Sequence, residues 1–243
     1  AVSEWWTYRL DSFLMFSPRT YARLLEQTNA DLWPLQPLAV ALGLAALGLA
    51  WRARSDLQQR LVWALLAAAW LWVAWAFLHQ RFMAINWAAG HVAWVFGAQG
   101  LALAWLGGVR GRLAWRSPGA FDKGRAARPA QVPGAARALG ALLVVTGLLA
   151  WPWLGRLSGG TWSQAQSFAV MPDPTALATL GFLLLARRPP WWLFVVPALA
   201  CALGGALAWV LQAPLAWLAP ALAAGALICA WSCRQGPPAA AVP

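Results

Sequence analysis

Residues 61–79 read LVWALLAAAWLWVAWAFLH, an apolar run closed by His79, with Arg60 just before it and Arg81 just after. A stretch of this length with no charge inside it matches the ~20 residues needed to cross ~30 Å of hydrocarbon. Trp70, Trp72 and Trp75 lie within the run, away from its ends, and are expected to face neighbouring helices. Similar apolar runs lie at 33–51, 88–108, 136–155, 169–186, 191–211 and 214–232. Composition agrees: 61% of the residues are hydrophobic and 10% are charged, against roughly 25% charged in soluble domains. The expected fold is therefore all-α, a polytopic integral membrane bundle of about seven transmembrane helices.

The charges orient that bundle. The connections that follow the first, third, fifth and seventh runs hold Arg52, Arg54, Arg60, Arg110, Arg112, Arg116, Lys123, Arg125, Arg128, Arg137, Arg187, Arg188 and Arg234. Only Asp56 and Asp122 oppose them, so this side carries the whole net charge of +11. The other side balances Arg9, Arg19, Arg23, Arg81 and Arg156 against Glu4, Asp11, Glu26, Asp31 and Asp173. Lys and Arg are retained in cytoplasmic loops, which places the N-terminus outside and the C-terminus in the cytoplasm. Membrane insertion explains the basic residues, so they do not argue for a nucleic-acid partner. The expected partner is the lipid bilayer, and the expected location is a bacterial inner membrane.

Residues 1–31 form an N-terminal outer-surface segment. Its opening run Ser3–Tyr8 is polar and aromatic and does not read as a cleavable signal peptide. Ser17-Pro18 reads as a helix cap followed by proline in the first turn. Phe13–Phe16, Tyr21, Leu24 and Leu25 then predict a short amphipathic helix, which is either an interfacial anchor or a cap over the bundle mouth. Residues 32–233 form the transmembrane domain, with a basic cytoplasmic loop at 109–135, and residues 234–243 a Pro/Ala-rich tail. Many of the 20 tryptophans fall near predicted span ends, as interfacial belts require. They include Trp33, Trp51, Trp87, Trp105, Trp151, Trp153, Trp191 and Trp192. Cys201, Cys229 and Cys233 lie in or beside the last two spans and read as packing residues rather than a disulfide framework. Pro37–Gly43 resembles Pro174–Gly181 with one insertion. Both open an outside-to-inside span, which raises a 3+1+3 pseudo-repeat of the kind some transporters use.

No Asp, Glu, Lys or Arg stands in the middle of any run, which argues against proton pumps, ion-coupled carriers and voltage sensors. The one lysine, Lys123, lies in a loop, so a retinal Schiff base is excluded. Polar groups gather on the outer side instead. His79, Arg81, Asn86 and His91 flank the loop between the second and third spans, Glu4 comes from the N-terminal segment, and Asp173 opens the fifth span. In Pro172-Asp173-Pro174-Thr175 the aspartate reads as an N-cap, with Pro174 at the first helical position. Thr175–Ala186 would measure about 18 Å of helix, short of ~30 Å. Either residues 168–173 complete the span or the helix begins below the outer surface, as in broken transporter helices. His79 and His91 show no spacing that fixes a third ligand, so no metal is assigned. No nucleophile motif, Gly-rich phosphate loop or zinc pattern is present, and Gly204-Gly205 reads as close helix packing.

Four blocks carry a resemblance: Ser3–Tyr8, Ser17–Tyr21, Ile85–Ala89 and Pro172–Gly181. Together they resemble a family of uncharacterised bacterial multi-pass membrane proteins known only as a domain of unknown function. The resemblance implies a membrane-embedded fold and brings no activity or cofactor with it. The leading expectation is a bundle that binds or transports a small neutral or amphipathic molecule through an outer-facing site lined by Glu4, His79, Arg81, Asn86, His91 and Asp173. The alternatives are an accessory or assembly subunit of a larger redox or pigment-containing membrane complex, and a membrane enzyme with a periplasmic-face site. Catalytic residues and cofactors are left unassigned.

Overall fold

The computed structural model describes residues 16–52, 55–113, 115, 133–157, 159–187 and 189–235. Glu4, the Ser3–Tyr8 block, most of the basic 109–135 loop and the tail after 235 lie outside them. Among the described residues the chain is helical and contains no strand. In chain order the helices are α1 (Pro18–Asp31), α2 (Leu35–Arg52), α3 (Asp56–Trp72), α4 (Ala89–Leu103), α5 (Gly134–Val145), α6 (Trp151–Leu157), α7 (Pro172–Leu185), α8 (Val195–Val210) and α9 (Leu218–Gln235). Wide π-helical turns extend α3 to His79 and α4 to Val109, and another at Thr146–Ala150 joins α5 to α6. Among the described residues, five continuous helices are long and apolar enough to cross a membrane: 35–52, 56–84, 89–109, 134–157 and 191–210. The apolar helices α7 and α9 are shorter. The chain is a helical membrane bundle.

The 61–79 run becomes helix because Ser55 and Gln58 start it. The Ser55 hydroxyl accepts the Gln58 N–H and the Gln58 side chain accepts the Ser55 N–H, both at 3.3 Å. Such a reciprocal cap satisfies two backbone donors that the first turn leaves free. At this basic end, Trp63 donates to Leu113 O at 2.6 Å and stacks on Trp115 at 4.7 Å. Trp115 N–H donates to the Gln59 side chain at 2.8 Å, and Arg60 donates to Val109 O at 3.0 Å. Chain order also puts Arg52, Arg137, Arg187 and Arg234 at this end.

The centre of the bundle is α7, whose residues Pro174 through Leu184 are all buried. A helix apolar on every side belongs in an interior. Its threonines bond back along the helix, Thr175 to Met171 O at 2.7 Å and Thr179 to Thr175 O at 2.8 Å, which satisfies hydroxyls that are fully buried. Trp70 from α3 donates to the Thr179 hydroxyl at 2.8 Å. Gln99 from α4 donates to Leu193 O at 3.0 Å and ties α4 to the start of α8.

Two expectations change here, for the tryptophans of α3 and for Asp173. Trp70 is fully buried, but Trp72 is half-buried and Trp75 is 55% exposed. The π turn starts at Val73, and its wider i→i+5 winding swings Trp75 off the packed face. Asp173 does not cap its helix. Met171 stands at the cap and Asp173 is the second helical residue. The spans opened by Pro37 and Pro174 occupy different environments: α2 buries only Ala39, Gly43 and Ala46, whereas α7 is enclosed.

Candidate functional site

The 14 residues of α7 make about 21 Å of helix, so it cannot cover ~30 Å of hydrocarbon alone. The missing length is supplied by residues 165–171, which are not helical. Ser167, Phe168, Val170 and Met171 are nonetheless buried. Irregular backbone at this depth survives only where protein surrounds it and its polar groups are bonded. Val170 and Met171 N–H both reach Ser167 O, at 3.2 and 3.0 Å. Ala169 sits at φ 58°, a region unfavourable to a residue with a Cβ. Its N–H is fixed on the Thr175 hydroxyl at 2.9 Å. The two alternatives for this span thus coincide: an irregular stretch completes it, and the helix proper starts below the end of the bundle.

A helix that begins inside protein has backbone N–H groups to satisfy. Pro172 and Pro174 have none, so the Pro-Asp-Pro run reduces the count at its source. Asp173 stands between them, and a carboxylate in the first turn is favoured by the helix dipole. Its side chain lies where α8 carries Gly204. A Cβ at Gly204 would collide with the Asp173 carboxylate. Cys201, fully buried, lies one turn before Gly204 on the same face of α8. Among the described residues no hydrogen bond or ion pair holds the Asp173 carboxylate.

Above it lies α1. Its Tyr21 ring packs against Phe16 and Phe82, each at 5.9 Å. Burial first, and the nearby charge of Asp173 second, push the Tyr21 phenol well above its ordinary value. The helix is tied down by polar contacts. Asn29 donates to Ser163 O and Ala165 O at 2.7 and 2.9 Å, and Gln164 donates to Glu26 at 2.8 Å. Arg81 meets Asp31 at 3.6 Å. Leu24, Leu25 and Thr28 of α1 are buried, so this face of α1 packs against the bundle.

The remaining candidates are placed separately. His79 is exposed at the end of the π turn after α3. His91 is exposed in the first turn of α4, edge-on to Trp87 at 5.6 Å. The Asn86 side chain accepts Ala88 N–H at 3.0 Å in the turn before α4. Arg81 donates to Ala76 O at 2.6 Å in addition to its ion pair. Among the described residues no bond or ring contact joins these four to Asp173. None of those residues form a group of three or more His, Cys, Asp or Glu able to hold a metal. Glu4 lies outside the described residues. The structure brings Tyr21, Cys201 and Gly204 to Asp173, none of which reads as a site residue in the sequence. The signal for Gly204 was the Gly204-Gly205 pair, whose two members do different work: Gly205 admits Pro220 of α9 and Gly204 admits Asp173.

A model described as a family of unknown function matches residues 19–235. No curated protein and no solved structure matches the chain.

Proposed function

We propose, from the premise that this chain belongs to that family, DUF6064, that it binds or passes a small neutral or amphipathic molecule at the mouth formed by α1 and the start of α7. The observation that carries the reading is the half-buried Asp173 carboxylate, seated on the bare backbone of Gly204 in the first turn of α7, with Tyr21 close enough to feel its charge. An acceptor in low-dielectric surroundings without a partner is costly, and a ligand donating a hydrogen bond would relieve that cost. With no charge in the middle of the apolar runs, movement would be facilitated rather than ion-coupled.

The test is flux of labelled neutral and amphipathic solutes through reconstituted liposomes. Wild-type protein is expected to speed at least one solute. Gly204→Ala, which pushes the carboxylate aside, and Asp173→Asn are each expected to slow it about tenfold or more, the scale of one lost hydrogen bond to a charged group. Gly97→Ala, with open space around it, is expected to change nothing. Equal flux through all three variants would remove Asp173 from the site. Failure to move or bind any solute, with a second membrane protein co-purifying, would favour an assembly subunit.

The orientation belongs to the same proposal: a bacterial inner membrane, N-terminus outside, basic end in the cytoplasm. Cys233 is exposed near the end of α9. A membrane-impermeant maleimide is expected to leave it unlabelled in intact spheroplasts and to label it in inverted vesicles. Labelling in spheroplasts would reverse the topology.

A further inference from the structure

A cavity lies away from Asp173, between α2 and α3. Its volume is about 250 Å³ and its walls are apolar: Ala39 and Ala46 from α2, Leu66 and Trp72 from α3, and Phe168 and Ala169 from the irregular stretch. Leu42, 44% exposed, and Ala68, also exposed, line its rim. The cavity therefore opens sideways, toward hydrocarbon in an embedded bundle. Small residues on α2 leave the space: Ala39 and Ala46 share one face at helical spacing and line it, while Gly43 between them also admits the Leu148 side chain.

Two polar atoms decide what fits. The Trp72 indole N–H is buried without a partner, and so is the side-chain oxygen of Gln36. Trp72 is a wall residue. Gln36 lies one turn before Ala39 on the same face of α2, and its amide nitrogen is already used on Asn29 O at 2.9 Å. Gln36 is not itself a wall residue, but α2 starts and α3 ends on the same side of the bundle, so the unpaired acceptor lies toward the end of the cavity where the unpaired donor of Trp72 stands. The rest of the wall is hydrocarbon. Buried polar atoms without partners are rare and call for an explanation.

We infer that this cavity holds a single-chain amphiphile, a hydrocarbon tail ending in a hydroxyl or uncharged carboxyl group. Such a head both accepts from Trp72 and donates to Gln36, and the tail fills the apolar length. An apolar cavity of ~150 Å³ takes benzene, so about 250 Å³ takes a tail of roughly ten carbons. A phospholipid ester offers acceptors only and would leave Gln36 unpaired. The inference does not involve Asp173, so it stands or falls apart from the proposed solute path.

The probe is dodecanol carrying a diazirine at the far end of its chain, photolysed with the full-length protein in phosphatidylcholine nanodiscs. Label is expected in peptides spanning Ala39–Ala46 and Leu65–Ala69. Unlabelled dodecanol should displace it at about tenfold lower concentration than dodecane, the worth of roughly one net hydrogen bond. Dodecyl methyl ether, an acceptor only, should fall between them. Trp72→Phe should narrow the gap. Ala68→Phe, on the exposed rim, should fill the space and abolish the label. Label spread evenly over the lipid-facing helices, or dodecane competing as well as dodecanol, overturns the inference. Should Ala68→Phe fail to fold, the competition series on wild-type protein decides alone.

Discussion

Gly181→Val is expected to leave little folded protein. Gly181 of α7 and Gly140 of α5 touch backbone to backbone. A Cβ on Gly181 would lie 2.5 Å from Gly140 O and 2.8 Å from Val144 N, and a Cβ on Gly140 would lie 2.9 Å from Gly181 O. Farther along, Gly147 meets Pro174 O and Ala178 N at 2.5 and 2.8 Å by the same construction. As residue number rises on one helix it falls on the other, so the pair is antiparallel and in contact over about two turns. Between helices in lipid there is little hydrophobic drive, and close approach through small residues supplies the packing energy instead. Valine puts three carbons where the neighbour is backbone, which cannot rotate away. The cost should be about 3 kcal/mol or more, the upper range of overpacking. Size-exclusion profiles and thermal melts of detergent extracts check it. Gly48→Ala and Gly97→Ala, where nothing lies within 4 Å, are the contrast. They should shift stability by no more than about 1 kcal/mol, and upward, because alanine is the better helix former. A Gly181→Val protein that melts like those two would show that α5 and α7 are not held by this contact.

Gly181 also shows how far the sequence could be read. Hydropathy is a sum over ~20 residues, so the apolar runs and the charge partition survive any local misreading, and they placed the helices to within a few residues. Contacts depend on the angular position of single residues. Trp75 was misplaced because nothing in the letters announces a π turn at Val73. Asp173 was recognised as the notable residue from its two prolines, a local signal. Its surroundings come from Tyr21 and Gly204, on helices far away in sequence, and an Ala/Leu/Gly background leaves no mark of which glycine receives which side chain. The same background hides the α2–α3 cavity, which is an absence of atoms opposite Ala39 and Ala46. His79 and His91 stood out as the only histidines, yet rarity in composition carries no geometry, and both project from the surface.

Trp70→Ala is the second substitution expected to act strongly, because Trp70 links three elements at once. Its ring is fully buried, packs on Phe96 of α4 with centroids 4.4 Å apart, and donates to Thr179 at the middle of α7. In a water-soluble core a Trp→Ala change costs ~3–5 kcal/mol, part transfer from water and part cavity. Helices separating in lipid do not expose the site to water, so the transfer part shrinks and the lost packing and the void remain. The expectation is therefore the low end, about 3 kcal/mol, read as a shift in unfolding by sodium dodecyl sulfate in mixed micelles. Trp70→Phe separates the components. It keeps most of the ring contact and removes only the N–H, and Thr179 still donates to Thr175 O, so no donor is stranded. That variant should cost about 1 kcal/mol, the net worth of one hydrogen bond. Equal losses for the two would mean that the hydrogen bond, rather than the packing, joins α3 to α7. A negligible loss for Trp70→Ala would mean that α3 is held to the bundle elsewhere, through Trp63 and Trp115 at the basic end.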